Sequence, residues 1–178
     1  MKKEVAVLLT DIRSAHNVGS IFRTADGAGA SRIYLCGYTP TPTDRFGRTQ
    51  KDIAKTALGA EVSLQWEYHK SAMRIISKLR KAGWHIVAVE QHRSSKNYRS
   101  FKQKKPTLFI LGNEVDGISA QLFKACDEIL EIPMYGTKES LNVSVAAGIV
   151  LFSVRNDVND ASAAVQKPNR VVRRIPKR

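Results

Sequence analysis

The sequence predicts an α/β fold, a parallel sheet sandwiched between layers of helices. Short apolar runs alternate along the chain with segments of helical periodicity, which is the pattern of a parallel α/β protein. The runs are apolar along their whole length, as expected of strands that are covered on both faces. With 178 residues and 43% hydrophobic content, the chain is large enough for one sizeable core.

The individual elements follow from these patterns. Strands are predicted at 5–9, 32–36, 62–66, 85–90, 107–112 and 128–133. Helices are predicted at 17–29, about 50–58, 70–82, 118–125 and 140–154. In the first helix Val18, Ile21 and Phe22 fall on one face, and Gly83 ends the third helix. The last helix is apolar nearly all round, which predicts that it is buried.

The chain is expected to form one domain over residues 1–156, followed by a basic, flexible tail over 157–178. Helical and strand periodicity is lost beyond about residue 156, and the final stretch "KPNRVVRRIPKR" contains six cations and no acid. One connection, "GYTPTPTDRFGR" (37–48), is longer than most. It is interpreted as an active-site loop or an insertion.

The charge predicts a polyanionic partner. The formal net charge is +13 and the isoelectric point about 10.0, so RNA or DNA is the first candidate. The segment 92–105, "HRSSKNYRSFKQKK", has six cations and no acid, with Tyr98 and Phe101 between them. Such a segment suits phosphate contact and base stacking, although a solvated loop is the ordinary alternative. The candidate RNA contacts are Arg93, Lys96 and Arg99, together with Arg13.

Several classes of protein are disfavoured. Two cysteines far apart, Cys36 and Cys126, predict free thiols in a reducing cytoplasm. The four histidines are scattered, so no metal site is expected. No apolar run is long enough for a signal sequence or a membrane span. The glycine fingerprints of dinucleotide-binding and P-loop enzymes are absent as well.

Three polar stretches follow predicted strands, at 16–26, 111–119 and 132–142. Ligands of open α/β sheets bind outside the carboxyl ends of the strands, so these stretches predict a site. Each has an ordinary alternative when taken alone. Asn17 and Ser140 would cap helices, and the glycines would serve tight turns. The three stretches together favour the functional interpretation.

The same stretches resemble the three motifs of the SpoU (TrmH-type) RNA ribose 2′-O-methyltransferases of the SPOUT superfamily. The first is "NVGSIFRTADGAGA" (17–30), the second "LFILGNEVDGIS" (108–119) and the third "IPMYGTKESLNVSVAAGIVLF" (132–152). Their order and spacing also match, and the resemblance covers about residues 5–154. In addition, "AVEQ" (88–91) resembles the strand end that contacts the cofactor in these enzymes.

The resemblance implies a deep trefoil knot in the C-terminal half of the α/β domain and a homodimer with the active site near the subunit boundary. It also implies S-adenosylmethionine as cofactor and tRNA or rRNA as substrate, the analogy favouring tRNA. Many relatives carry an additional N-terminal RNA-binding domain, which is not expected here because the chain begins at the first catalytic strand. The residues expected to contact the cofactor are Val89, Glu90, Gln91, Leu111, Gly112, Ile132, Met134 and Leu141.

The catalytic residues implied by the resemblance are Asn17, Arg23, Glu114, Ser140 and Asn142. A guanidinium group has no acceptor for a proton, so Arg23 is expected to clamp the phosphate beside the target ribose while that phosphate or water takes the proton. Asn17 would orient Arg23 or the ribose. Glu114 would accept a hydrogen bond from an asparagine or arginine, hold its turn and complement a sulfonium. Ser140 and Asn142 would cap the last helix and reach the substrate or the neighbouring motif.

Three alternatives remain open at the level of sequence. The first is a SPOUT enzyme that methylates a base, against which the pairing of Asn17 with Arg23 argues. The second is a non-catalytic RNA-binding or ribosome-assembly protein on the same fold, against which the intact motif residues argue. The third is a basic α/β nucleotide-binding protein of another class, which the missing glycine fingerprint disfavours.

Overall fold

The computed structural model describes residues 4–155, and the expected tail over 157–178 lies outside them. Its sheet has seven strands in the order β3-β2-β1-β6-β4-β7-β5, and every pairing is parallel. The predicted parallel α/β class is therefore confirmed. The strands are β1 (Val5–Thr10), β2 (Arg32–Cys36), β3 (Trp66–His69), β4 (His85–Val89), β5 (Lys96–Asn97), β6 (Thr107–Leu111) and β7 (Glu128–Glu131).

The helices cover both faces of this sheet. They are α1 (Ala15–Gly27), α2 (Lys51–Ala57), α3 (Ala60–Ser63), α4 (Ala72–Lys81), α5 (Ala120–Lys124) and α6 (Val143–Ser153). Along β1, Val5, Val7 and Leu9 face the layer formed by α1, α2, α3 and α6. Ala6 and Leu8 face the layer formed by α4 and α5. This alternation places one apolar core on each side of the sheet.

The predicted strand at 62–66 is wrong. Residues Ala60–Ser63 form α3, and the strand begins only at Trp66, which pairs with Ile33 of β2. Val62 is 85% exposed, so its apolar side chain does not serve the core. Strand β3 begins where its pairing with β2 begins, and the apolar residues that precede it in the sequence do not indicate that position.

The prediction that the last helix is buried all round is also wrong. Helix α6 begins at Val143, after its N-cap Asn142, and buries one face. That face consists of Val143, Ala147, Val150 and Leu151. Val145 and Phe152 are each 49% exposed, because α6 packs against α1 on one side only within this chain. The helix therefore presents an apolar surface to solvent.

The basic segment 92–105 is built into the sheet edge. It contains β5, which pairs with β7, and a 3₁₀ turn at Tyr98–Ser100. Phe101 is only 5% exposed and packs against His85 and Phe109, with ring centroids 5.8 and 5.7 Å apart. The expectation that Phe101 stacks on RNA bases is therefore wrong, because the ring completes the protein core.

Two further expectations concern membrane and thiol chemistry. Within residues 4–155, the helices all fall short of the length and apolarity that a bilayer crossing requires. Cys36 and Cys126 are both free. Burial raises the pKa of each thiol to about 11, so neither is a ready nucleophile at neutral pH.

Candidate active site

The loops that follow β4, β6 and β7 enclose a cleft at the carboxyl edge of the sheet, and the loop after β1 joins them through hydrogen bonds to Glu114. This is the edge at which open α/β sheets bind ligands. The space amounts to about 780 Å³, a figure that includes the open solvent at its mouth. The three polar stretches of the sequence thus meet in one place.

The loop after β6 is closed by its own backbone and by one side chain. Asn113 and Gly117 exchange two backbone hydrogen bonds of 3.1 and 3.0 Å. The Asn113 Oδ1 also accepts from the backbone N–H groups of Val115 and Asp116, at 2.7 and 2.8 Å. All four hydrogen bonds join atoms of the turn itself, so the turn is preorganised.

The two glycines of the second motif are required for different reasons. A Cβ atom on Gly112 would lie 2.5 Å from the backbone of Gly117, so a side chain there would distort the turn. Gly117 has a φ of +66°, a conformation that strains any residue with a side chain. A Cβ atom on Gly117 would also lie 2.6 Å from a carboxylate oxygen of Glu90, which would have to move.

Asn113 also joins this turn to two neighbouring loops. Its Nδ2 donates to the backbone oxygen of Asp11 at 2.8 Å and to the hydroxyl oxygen of Tyr38 at 2.6 Å. The residue is only 7% exposed. Asn113 lies in the polar stretch 111–119 but is not among the predicted site residues. The sequence feature that could have identified Asn113 as a site residue is its position between Gly112 and Glu114, directly after a buried strand.

Glu114 connects the second motif to the first. Its Oε2 accepts from the backbone N–H of Arg13 at 2.9 Å, and its Oε1 accepts from the backbone N–H of Ser14 at 3.2 Å. The same Oε1 accepts from Asn17 Nδ2 at 2.8 Å. Partial burial by itself would raise the pKa of Glu114. The hydrogen bonds outweigh this effect and hold its pKa below the usual range, so the carboxylate is ionised at neutral pH.

Asn17 in turn connects the first motif to the third. Its Oδ1 accepts from Asn142 Nδ2 at 3.1 Å. Asn142 is the N-cap of α6, and its Oδ1 accepts from the backbone N–H of Ser144 at 2.8 Å. One chain of side-chain contacts, Glu114–Asn17–Asn142, therefore ties together all three motifs. We use the name motif cluster for these three residues.

The helix caps do not support the alternative interpretation of Asn17 and Ser140 as capping residues. Helix α1 begins two residues earlier than predicted and is capped by Ser14, whose side chain accepts from the backbone N–H of Asn17. Asn142 caps α6 as expected. Ser140 is not the cap, and it lies two residues before Asn142 on the wall of the cleft. Asn17 and Ser140 thus have no capping duty.

The cleft brings together every residue expected to contact the cofactor. They are Val89, Glu90, Gln91, Leu111, Gly112, Ile132, Met134 and Leu141. Glu114 and Ser140 from the catalytic set also line it. The lining residues that were not predicted are Asn113, Val115, Gly117, Val143 and Ala146. Gln91 Nε2 donates to the backbone oxygen of Glu139, which fastens the loop after β7 to the end of β4. The lining combines apolar side chains with the polar side chains of Glu90, Gln91, Asn113, Glu114 and Ser140, a mixture that suits a ligand with both apolar and polar parts.

Arg23 is not brought to this cleft. In the part of the chain that the structure describes, Arg23 lines a separate hollow between α1, α2 and α6, with Lys55, Thr56 and Phe152 among its neighbours. Asn17 contacts Glu114 and Asn142 in place of the expected contact with Arg23. Asn17 and Arg23 are six residues apart on one helix, and that spacing turns them to different sides.

The four predicted RNA contacts fall in two places. Arg13 is exposed beside the motif cluster, where its backbone binds Glu114. Arg93, Lys96 and Arg99 are exposed at the β5 edge of the sheet. Lys96 pairs with Glu128 at 3.2 Å, and the Arg99 guanidinium lies 5.6 Å from the ring centroid of its neighbour, Tyr98.

The fold and the cleft agree with what sequence comparison finds. The model of the SpoU rRNA Methylase family matches residues 4–152. This chain belongs to the SpoU methylase family. The match contains all three motifs and every residue of the cleft, so the family predicted from the motifs is confirmed.

Named members of the family are similar over most of the chain. The tRNA (guanosine(18)-2′-O)-methyltransferase of Aquifex aeolicus is 30% identical over 158 residues, which are 86% of this chain and 70% of that protein. The 23S rRNA (guanosine-2′-O-)-methyltransferase RlmB of Neisseria meningitidis is 30% identical over 149 residues, which are 84% of this chain and 57% of that protein. This SpoU chain thus spans between 57% and 70% of the length of these two relatives.

Solved structures show the same similarity. An S-adenosylmethionine-bound rRNA methyltransferase from Sinorhizobium meliloti superposes with a TM-score of 0.80 at 31% identity, covering 89% of this chain and 58% of that one. The Aquifex aeolicus TrmH/SpoU tRNA modifying enzyme gives a TM-score of 0.76 at 28% identity, covering 87% and 75%.

Proposed function

We propose that this SpoU protein transfers a methyl group from S-adenosylmethionine to a ribose 2′-hydroxyl of tRNA or rRNA. The observation that carries the proposal is the motif cluster. It joins the three motifs at a cleft lined by all the residues expected to contact the cofactor. Relatives named as tRNA and rRNA 2′-O-methyltransferases support the reaction class.

The cleft suits S-adenosylmethionine in shape and chemistry. Leu111, Ile132 and Leu141 would flank the adenosyl group, and Gly112 and Gly117 keep the cavity wall free of side chains. When bound, S-adenosylmethionine supplies an electrophilic methyl group on a sulfonium. The ionised carboxylate of Glu114 on the same wall favours a positively charged ligand electrostatically.

The chain's own residues would position the nucleotide. Glu114 is ionised and occupied by three hydrogen bonds, so we assign it the task of holding the loops and not that of accepting a proton. Arg23 would clamp the phosphate next to the target ribose, because a guanidinium binds phosphate through two parallel hydrogen bonds. The hydroxyl proton would pass to that phosphate or to water. Such positioning supplies ~7–11 kcal/mol in favourable reactions.

The location of Arg23 favours a homodimer. Arg23 lies outside the cleft of its own chain, beside the exposed ring of Phe152 on α6. Val145 extends this apolar surface of α6. We propose that a second copy covers this surface and that each copy presents Arg23 to the cleft of the other.

The remaining features of the family complete the proposal. We assign the catalytic domain to residues 1–156 and expect its C-terminal part to form the trefoil knot; the contact from Gln91 to the loop of Glu139 supports a tightly threaded third motif. RNA would be held by Arg13, Arg93, Lys96 and Arg99, which are exposed cations. The reaction would take place in the cytoplasm, where two free thiols stay reduced.

The proposal is tested by a methyl-transfer assay. Purified protein is incubated with labelled S-adenosylmethionine and unmodified tRNA or rRNA, and the products are identified by nucleoside mass spectrometry. A 2′-O-methylnucleoside that is lost in Arg23→Ala is the expected result. A methylated base would point to the base-methylating alternative, and absence of cofactor binding would point to a non-catalytic RNA-binding protein. Near-normal turnover of Arg23→Lys would contradict the bidentate clamp.

The shared site is tested by complementation. Arg23→Ala and Glu114→Ala are each expected to be inactive as homodimers. Mixed dimers of the two variants contain one cleft with an intact lining that faces an intact Arg23. Recovery of activity on mixing, towards a quarter of the wild-type rate, is expected because half of the dimers are mixed and one of their two sites is whole. A mixture as inactive as its components would show that Arg23 does not act across the interface.

A further inference from the structure

The turn at residues 44–48, "DRFGR", carries an exposed aromatic ring between two cations. Phe46 is 67% exposed, although phenylalanine is normally buried. The guanidinium carbons of Arg45 and Arg48 lie 4.7 and 5.2 Å from the centroid of its ring. We use the name Phe46 turn for residues 44–48.

Hydrogen bonds within the Phe46 turn fix its conformation. Asp44 Oδ1 accepts from the backbone N–H groups of Phe46 and Arg48, at 2.8 and 3.0 Å. Asp44 Oδ2 accepts from Arg48 Nε at 2.7 Å. Gly47 has a φ of +77°, a conformation that glycine adopts without strain. Asp44, the one acidic side chain of the turn, pairs with Arg48, so the turn keeps a net charge of +1 and the Arg45 guanidinium lies outside that ion pair.

The loop that bears the turn is rooted beside the active site. At its start, the Tyr38 hydroxyl accepts from Asn113, which lines the cleft, and the Tyr38 backbone N–H donates to Asp11. At its end, Thr43 and Thr49 form an antiparallel bridge that closes the tip. The Phe46 turn therefore belongs to a loop that is anchored, through Tyr38, to a residue of the cleft.

We propose that the Phe46 turn binds an unpaired nucleotide of the RNA substrate. Phe46 stacks on the base, while Arg45 and Arg48 contact the adjoining phosphates. This inference rests on the proposed function, because it concerns the grip on that enzyme's RNA. An exposed ring flanked by cations is what single-stranded nucleic acid requires: stacking accepts any base, and the arginines neutralise the backbone.

The test measures RNA affinity directly, independently of methyl transfer. The full chain is titrated into a fluorescein-labelled 12-nucleotide single-stranded RNA, and into the same strand annealed to its complement, at several salt concentrations. The variants are Phe46→Ala, Phe46→Leu and the pair Arg45→Ala/Arg48→Ala. The matched control is Arg74→Ala/Lys81→Ala, which removes two exposed cations from α4 in the other helix layer.

Loss of the ring and loss of the two cations are expected to change RNA affinity differently. Phe46→Ala is expected to weaken single-strand binding by about tenfold at every salt concentration and to change duplex binding far less. The arginine pair is expected to lower the slope of log affinity against log salt by about 1.4, the value for two single-strand phosphate contacts. The control pair should leave single-strand affinity within about twofold of wild type.

Other results would overturn the inference. Single-strand affinity of Phe46→Ala within twofold of wild type would do so, as would full recovery by Phe46→Leu, which keeps an apolar side chain without a ring. A change of oligomeric mass in Phe46→Ala, measured by sedimentation, would instead make the turn a protein interface. If the wild-type protein methylates no RNA while Phe46→Ala still weakens binding, the proposed reaction fails and the RNA-binding turn stands.

Discussion

The Phe46 turn and the segment 92–105 both place cations beside aromatic rings, but Phe46 is 67% exposed whereas Phe101 is 5% exposed. Phe101 follows a 3₁₀ turn and packs on His85 and Phe109, because β5 adds to the sheet edge and the chain then returns into β6. The bonds that hold the Phe46 turn are local, and its ring stays in solvent.

Composition therefore predicts where charged side chains will lie but not which aromatic ring is exposed to a partner. Lysine and arginine remain at the surface in either environment, since burying an unpaired charge is costly. Whether a phenylalanine ring is buried depends on the path of the backbone around it. The segment 92–105 was the more obvious candidate in sequence, yet the structure leaves it a charged edge whose Phe101 belongs to the core. Three predictions test this contrast, beginning with the largest effect.

Phe101→Ala should destabilise the protein strongly, whereas Phe46→Ala should not. Removing a buried phenylalanine typically costs about 3–5 kcal/mol, while a change at an exposed position stays within about 0.5 kcal/mol. Urea unfolding of the two variants beside wild type measures this difference in the free energy of unfolding. The contrast breaks down if both variants unfold at the same urea concentration.

Arg93→Ala/Arg99→Ala should weaken RNA binding by charge alone. We expect the loss to be largest in dilute salt and to fade as salt rises, because released counterions provide this part of the affinity. The loss caused by Phe46→Ala should persist at high salt, since stacking does not depend on counterions. Titrations of single-stranded RNA at low and high salt compare the two. A salt-independent loss in the arginine variant would show that 92–105 also contributes stacking.

The Phe46 turn should loosen in acid, and this is the smallest of the effects. The backbone N–H of Arg48, then its side chain and the backbone N–H of Phe46, hold the pKa of Asp44 below its usual range despite some desolvation. A depressed folded-state pKa means that the contribution of Asp44 is complete above its unfolded pKa and is lost as the pH falls through the lower, folded one. Amide shifts of Phe46 and Arg48, followed by NMR, should move in that acid range. In Asp44→Asn they should show no such titration, and an identical titration there would exclude Asp44 as the cause.

Much of the site was predictable from the order of residues. A buried strand followed by a Gly-Asn-Glu turn predicts polar groups at the carboxyl edge, and the resemblance to the SpoU motifs singled out Glu114 among them. Gly112 and Gly117 were recognisable as turn glycines. The close contacts at these positions were not recognisable. A Cβ atom on Gly112 would meet the backbone of Gly117, and a Cβ atom on Gly117 would meet the side chain of Glu90.

Sequence patterns specify local features. Apolar runs and helical spacing specify the parallel α/β class, the position of β1 and the face that α1 buries, because these depend on neighbours within a few residues. The resemblance led us to expect that Glu114 accepts from an asparagine or arginine and that Asn142 can reach a neighbouring motif. Only the folded chain shows that Asn17 makes both contacts and that Arg23 joins neither. It also decided that Phe101 is core and Phe46 is surface. Contacts between residues a hundred positions apart depend on how the strands are ordered in the sheet, and no local pattern records that order.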